Sequence, residues 1–303
     1  MSRCWGHTRK QDKMKIAIIG GSGKMGRLLA DFLLKDGKEV VITGRNQEKL
    51  REAQRQLGVE INPSSAKAVG GADYVLLSVP LENFEEVVKQ ISPHLQPGQV
   101  VIDITSTKVY PIDIMHRHIK TGTVLGAHPL FGPGAGSIAN QNFVLTPTSD
   151  EEKALAEKIE SYLETRGARV TMMTPQEHDE VMSLVLGLSH FIAIVSADTL
   201  LSSGKLKPMG IASSTTYKVL MTMVESVLSE DPELYASLQM NLPRVAEFEN
   251  LFQSRAREWA DLVESKDRQE FIRRMQALKD KLEKVAPDYM KSYENMYRIV
   301  EGL

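Results

Sequence analysis

The apolar residues of this chain change their period along its length. Ile16-Ala17-Ile18-Ile19 is a short unbroken apolar run, as in a strand buried on both faces of a parallel sheet. Over residues 24–34, Met25, Leu28, Leu29, Phe32 and Leu33 fall on one helical face. Gly37 then ends the helix, and Val40-Val41-Ile42 opens a second strand, which makes a βαβ unit. Helical patterns near 47–57 and 84–91 alternate with strand patterns at 74–79, 100–104 and 123–125, predicting a parallel sheet with helices on both faces. A strand near 143–146, a helix over 151–164 and a strand at 169–173 extend it. Beyond Pro175 the strand patterns stop, and residues 177–201, 214–228, 242–266 and 268–285 all read as helices. The expected fold is α/β: a flexible leader (1–14), an N-terminal Rossmann-type doubly wound sheet (15–173) and an all-α C-terminal domain (174–303), with Met14 as an alternative start.

Composition narrows the function. A length of 303 residues suits two domains, and 37 Lys+Arg against 39 Asp+Glu leave a formal net charge of −2, with no basic excess to neutralise a phosphate backbone. Nucleic acid is therefore not an expected partner. The single cysteine, Cys4, supplies neither a disulfide nor a thiolate metal cluster, and no metal-ligand spacing stands out. The first thirteen residues carry Arg3, Arg9, Lys10 and Lys13 without the apolar segment of a secretory signal, so a cytoplasmic protein is expected. The apolar stretch 181–201 is broken by Ser183, Ser189, His190, Ser196 and Asp198, which predicts a buried helix rather than a membrane span.

Gly21-Ser22-Gly23-Lys24-Met25-Gly26 fits G-x-G-x-x-G between the first strand and the first helix. In that context the glycines permit a tight turn, close approach of a pyrophosphate and close helix packing, while the helix N-terminus offers unpaired N–H groups to phosphates. Where a carboxylate would hold the ribose of NAD, the second strand ends in Thr43-Gly44-Arg45-Asn46. Arg45 suits a 2′-phosphate and Thr43 has a hydrogen bond to offer, so NADP is favoured, with NAD possible. Ser78, Val79 and Pro80 close the strand after residue 74 and are candidate walls of the nicotinamide ribose site.

Two further segments end at the same sheet edge. Asp103-Ile104-Thr105-Ser106-Thr107-Lys108 presents hydroxyls, and Gly126-Ala127-His128-Pro129-Leu130-Phe131-Gly132-Pro133-Gly134 holds a histidine in a loop stiffened by prolines. Glu177-His178-Asp179 and Leu188-Ser189-His190 open the helical half, and Asp231-Pro232-Glu233-Leu234-Tyr235 follows later. With these motifs, the sequence over about 15–285 resembles the prephenate and arogenate dehydrogenases of tyrosine biosynthesis, the His128 loop being the most specific part.

The resemblance implies oxidative decarboxylation of prephenate, or of its amino counterpart arogenate, in a cleft between the two domains of a homodimer joined by its helical halves. His128 would bond the substrate hydroxyl and take its proton, and Ser106 would sit beside the same hydroxyl. His190 would orient the substrate. His178 and Asp179 read instead as a cap or pin of a helix start. Many relatives carry an arginine that grips the ring carboxylate where this chain has Ser226, so Lys218 and Arg244 are candidate replacements. Helices rich in Met221, Met223, Val224, Val227 and Leu228 need a second surface, which favours the homodimer. The rival readings are another Rossmann NADP oxidoreductase, similar to the deazaflavin-dependent NADP reductases, and a noncatalytic NADP-sensing protein.

Overall fold

The structure is a computed structural model that describes residues 14–302; the leader and Cys4 lie outside the described residues. It divides into two compact units, one ending at Asp179 and the other beginning at Glu180.

The first unit is built on one eight-stranded sheet. Its strands are β1 (Lys15–Ile19), β2 (Glu39–Ile42), β3 (Glu60–Ile61), β4 (Tyr74–Leu77), β5 (Val100–Asp103), β6 (Thr123–Pro129), β7 (Asn142–Thr146) and β8 (Arg169–Met172). Their spatial order is β3-β2-β1-β4-β5-β6-β7-β8. The first six strands are parallel and follow the doubly wound dinucleotide-binding order. The expected parallel extension is corrected at β7, which runs antiparallel to β6 with His128 opposite Val144, while β8 is parallel to β7. The connection from β6 to β7 contains no helix, so the chain returns as a hairpin rather than crossing over the sheet.

Helices α1 (Lys24–Lys35), α2 (Gln47–Leu57), α3 (Ser65–Val69), α4 (Phe84–Ile91), α5 (Val109–His118) and α6 (Asp150–Glu164) cover the sheet, and α7 (Pro175–Met182) follows β8. The core has two sides. Ala17, Val75, Leu77 and Val101 pack with Phe84, Val88, Ile91, Ile112 and Met115 from α4 and α5. On the other face, Ile16, Ile18, Val40 and Ile42 pack with Leu29 and Leu33 of α1 and Leu50 of α2. Fully burying each such side chain contributes roughly 1.5–3 kcal/mol, enough to hold the carboxyl edge of the sheet as a rigid platform.

In the second unit a π-helical turn, Ser183–Leu188, leads into α8 (Ser189–Ser202), followed by α9 (Leu206–Ile211), α10 (Thr215–Leu228), α11 (Pro232–Asn241), α12 (Val245–Glu264), α13 (Arg268–Val285) and α14 (Ser292–Glu301). The continuous helix Pro175–Ser202 is long and apolar enough to cross a membrane by length and composition. The expectation that this stretch is buried is corrected. Apart from Met182, its close-packed residues are small, such as Ser183, Gly187, Ala193 and Ala197, while Val181, Leu184, Val185, Val195 and Leu201 remain exposed. Exposed apolar residues recur along α12 to α14, among them Val263, Ile272, Leu278 and Ile299.

Candidate active site

The glycine-rich turn lies between β1 and α1, at the carboxyl edge of the sheet. Its glycines answer to different constraints. A Cβ on Gly26 would stand 2.6 Å from the Gly21 Cα, and one on Gly21 would stand 2.6 Å from the Ile42 Cβ, so these two let α1 and β2 close against the turn. A Cβ on Gly23 would meet nothing nearer than the Gly20 carbonyl oxygen at 3.4 Å, and its backbone sits at φ −72°, open to any residue. The fold therefore does not require glycine at 23. Gly23 is also the N-cap of α1, which has no side-chain cap and no acidic residue in its first turn. A bare, uncapped helix start with an exposed glycine fits the pyrophosphate of a dinucleotide. Arg27 braces the turn, donating from Nε to the Ser22 carbonyl and pairing with Glu52 of α2. Met25 turns inward onto the core, Ser22 lies against Gly44, and Lys24 is exposed.

At the end of β2, Arg45 is exposed and donates to Asn83 Oδ1 at 3.2 Å, bridging toward the segment after β4. Asn46 caps α2 by accepting from the Lys49 N–H. The Thr43 side chain is buried, with its hydroxyl 3.2 Å from that of Ser65 in α3 rather than open at the sheet edge. Ser78 and Val79 are half-buried; the Ser78 carbonyl abuts Gly20, whose φ of +80° only glycine adopts easily, and Pro80 starts a short 3₁₀ turn.

His128 is not in a loop, as the sequence suggested, but inside β6, because β7 pairs with that strand through Pro129. Alternation along the strand sends its side chain to the face that carries α5, away from Ala127 and Pro129. Those two neighbours line an apolar cavity of about 310 Å³ on the opposite face, with Phe32, Tyr74 and Tyr162. That cavity is therefore separate from the histidine. His128 Nδ1 lies 2.8 Å from His178 Nε2, and His178 Nδ1 lies 2.7 Å from Asp179 Oδ1. Asp179 also accepts the N–H groups of Lys108 and Val109 at 2.7 and 3.0 Å. It caps α5, not the start of its own helix as expected.

Beneath this row, the Lys108 ammonium forms a fully buried ion pair with Asp103 and donates to the Ala127 carbonyl at 2.8 Å, tying the ends of β5 and β6 together. Burial first, and then the closeness of His178 and of the Lys108 ammonium, which disfavours a further positive charge, holds the His128 imidazole well below its ordinary pKa, so it is a neutral base. Burial lowers His178 as well, against the opposing pull of Asp179.

Ser106 is half-buried in the turn after β5, the strand next to β6, and its hydroxyl has no hydrogen bond among the described residues. The neighbouring Thr107 hydroxyl is buried without a partner among the described residues, an arrangement that normally costs about 1–3 kcal/mol. The His178-Asp179-Lys108-Asp103 network is what sequence reasoning missed. Its only local signal was an acidic residue closing a strand, followed five positions later by lysine.

In the second unit, His190 is half-buried, stacked edge-to-face on Tyr235 at 4.9 Å, and its Nδ1 is buried without a partner among the described residues. Burial lowers its pKa too. Lys218 is exposed on α10 with no ion pair among the described residues, whereas Arg244 is paired with Glu247 and lies over Phe248. Ser226 is exposed and bonds the Met223 carbonyl.

The sheet order and the open glycine turn define a Rossmann-type dinucleotide-binding protein with a second, helical unit. A family model described as the prephenate dehydrogenase nucleotide-binding domain matches residues 29–172, and one described as the prephenate dehydrogenase dimerization domain matches residues 174–277. A "probable arogenate/prephenate dehydrogenase" of Methanocaldococcus jannaschii is 34% identical over 269 residues, covering 88% of this chain and 60% of that relative. The "T-protein" of Haemophilus influenzae is 29% identical over 304 residues, 98% of this chain and 74% of the relative. Among solved structures, prephenate dehydrogenase from A. aeolicus, in complex with hydroxyphenyl propionate and NAD+, superposes with a TM-score of 0.74 at 21% identity, covering 91% of this chain and 100% of that one. The chain belongs to the prephenate dehydrogenase family.

Proposed function

We propose that this protein oxidatively decarboxylates prephenate or arogenate, with NADP preferred over NAD, as a cytoplasmic homodimer joined through its helical unit. The observation that carries the reaction is the placement of a buried, neutral His128 on β6 and of the Ser106 hydroxyl, free of hydrogen bonds among the described residues, just after the adjacent β5. The names of the relatives support the substrate class.

His128 accepts a hydrogen bond from the hydroxyl on ring C4 and Ser106 bonds the same oxygen, which fixes the C4–H bond in direction. As that hydrogen leaves with its electron pair, the hydroxyl proton passes to His128 and C4 becomes a carbonyl carbon. The bond from C1 to its carboxylate then breaks, CO2 departs, and its electrons flow to the ring oxygen, which takes the proton back as a phenol. When bound, the nicotinamide supplies the hydride acceptor. Gly23 and the uncapped start of α1 would hold its pyrophosphate, and Arg45 a 2′-phosphate, for which no acidic residue stands at the end of β2. The orphaned Nδ1 of His190 and the unpaired Lys218 supply candidate contacts for the rest of the substrate.

The family's dimerization-domain description and the exposed apolar side chains of α8 and α12–α14 support the homodimer. The test is the absorbance of reduced nicotinamide with prephenate and with arogenate, each against NADP and NAD. Reduction with one substrate is expected; no reduction in any of the four combinations overturns the reading.

A further inference from the structure

Asp179 fixes a direction along the row of side chains that ends at His128. Both of its oxygens accept backbone N–H groups, Oδ1 from Lys108 and Oδ2 from Val109, so the carboxylate acts as an acceptor. The His178 Nδ1 facing Oδ1 at 2.7 Å is then the donor. A neutral imidazole carries one N–H, which leaves His178 Nε2 with a lone pair. That lone pair faces His128 Nδ1 at 2.8 Å, so His128 donates from Nδ1. The His128 proton is thus placed on Nδ1, and Nε2 is left bare. Nε2 has no hydrogen-bond partner among the described residues and is not one of the sealed, orphaned atoms, so it remains reachable.

We infer that His178 and Asp179 are positioning residues that lock His128 in the Nδ1–H tautomer, making Nε2 the atom that receives the substrate proton. The inference rests on the proposed reaction for its consequence, not for its geometry. Without the row, a neutral imidazole exchanges between two tautomers, and the one protonated at Nε2 cannot act as a base there. Asp179 serves two ends at once, because the cap that starts α5 also sets the proton on His128, 50 residues along the chain from His178. Burial disfavours a doubly protonated imidazole in this row, and the neighbouring Lys108 ammonium opposes one further.

The direction is lost when the acceptor is removed. In Asp179→Ala nothing accepts from His178 Nδ1, so His178 can carry its proton on Nε2 and donate to His128 Nδ1, which moves the His128 proton onto Nε2. Asp179→Asn is the milder change: an amide oxygen at the Oδ1 position still accepts from the Lys108 N–H and from His178 Nδ1, and only the Val109 N–H loses its acceptor. A wrong tautomer held in place costs about 10⁴-fold in turnover in the serine-protease triad, and one that is merely unfixed costs less.

The experiment is ¹⁵N NMR of histidine-labelled enzyme, free and with NADP bound, alongside steady-state kinetics. In the unmodified protein and in Asp179→Asn the protonated nitrogen of His128 should be Nδ1, and in Asp179→Ala that fixed signal should be lost. In Asp179→Ala kcat should fall by about tenfold or more while the dinucleotide Kd stays within about threefold, since the turn is untouched. Because Asp179→Ala also removes a helix cap, a second pair is included: His178→Gln keeps an acceptor facing Nδ1 and should retain the Nδ1–H signal, whereas His178→Leu removes it and should lose the fixed tautomer and most of kcat. A protonated Nε2 in the unmodified protein overturns the inference. So does normal turnover in both Asp179→Ala and His178→Leu. An Nδ1–H signal that is lost in Asp179→Ala, in a protein that oxidises neither substrate, upholds the row and overturns only the reaction assigned to it.

Discussion

The glycine turn offers a test in which stability and binding move in opposite directions. Gly23→Ser adds a Cβ whose nearest protein neighbour is 3.4 Å away, an ordinary contact, on a backbone that serine adopts without strain. Serine is also a good N-cap, better than glycine by a few tenths of a kcal/mol. Unfolding should therefore be unchanged or slightly harder. The added side chain occupies the side from which a pyrophosphate approaches the backbone, so dinucleotide affinity should fall by at least about tenfold, or 1.4 kcal/mol.

Gly26→Ala is the counterpart. Its methyl group would stand 2.6 Å from the Gly21 Cα and 3.0 Å from the Gly20 oxygen, with backbone rather than flexible side chain in the way. Overpacking of this kind costs about 1–3 kcal/mol, which for a unit of this size lowers Tm by roughly 2–12 °C. Thermal melts without ligand, and calorimetric titrations with NADP and NAD, separate the two. If Gly23→Ser binds both dinucleotides as tightly as the parent, or melts well below it, the assignment of Gly23 to the ligand rather than to the fold is wrong.

Arg45→Asp should weaken NADP far more than NAD in the same titration, by about tenfold or more for the lost charge-assisted pair; equal losses would show that Arg45 does not read a phosphate. His128→Asn should lower kcat by about 10²-fold or more with dinucleotide affinity preserved. Because burial depresses the folded pKa of His128 below the unfolded value near 6.5, protonation favours the unfolded chain. Stability should therefore fall as pH drops through about 6.5, more steeply in the parent than in His128→Asn, as pH-dependent melts will show. Lys218→Ala should raise KM by about tenfold with a smaller change in kcat, and Arg244→Ala less, since Arg244 is already paired with Glu247; an unchanged KM in Lys218→Ala removes that residue from the substrate site. Val195→Glu on α8 should shift sedimentation from dimer toward monomer; an unchanged mass places the contact elsewhere.

Much of the α/β architecture was legible because its signals are local. The apolar runs of β1, β2 and β4 and the glycines between β1 and α1 each carry their meaning within a few residues. The bounds of α2 and α4 fall where periodicity places them. The elements that escaped lack a local signal. Strand β3 has two residues. Helix α5 contains Pro111 and follows a run of hydroxyl residues, and its cap comes from Asp179, 70 positions away from Val109. Helix α11 starts on Pro232 with Asp231 as its cap, a helix-start signal that was read only as part of a motif. In the site, Ser106 and His128 were visible as unusual residues after strands. The bond from His128 to His178 was not, because chain spacing cannot show that an imidazole and a helix 50 residues later meet. The burial of Thr43 was hidden for the same reason, since only the placement of α3 turns its hydroxyl inward.

The π turn at Ser183–Leu188 has a consequence for length changes in this part of the chain. Its Gly187 carbonyl accepts from the Gln239 side chain, and a Cβ at that glycine would stand 2.6 Å from Val245, so the extra winding is gripped from two neighbouring helices. A π turn takes up one residue more than α-helical winding needs, so deleting one residue there would let the segment relax to regular α-helix with little change of direction downstream, and His190 would keep its place on the ring of Tyr235. The same shortening made in the regular winding that leads into the turn would instead rotate everything after it by about 100° about the axis. The surplus amino acid is thus one whose loss the imidazole would survive, although its neighbours grip it.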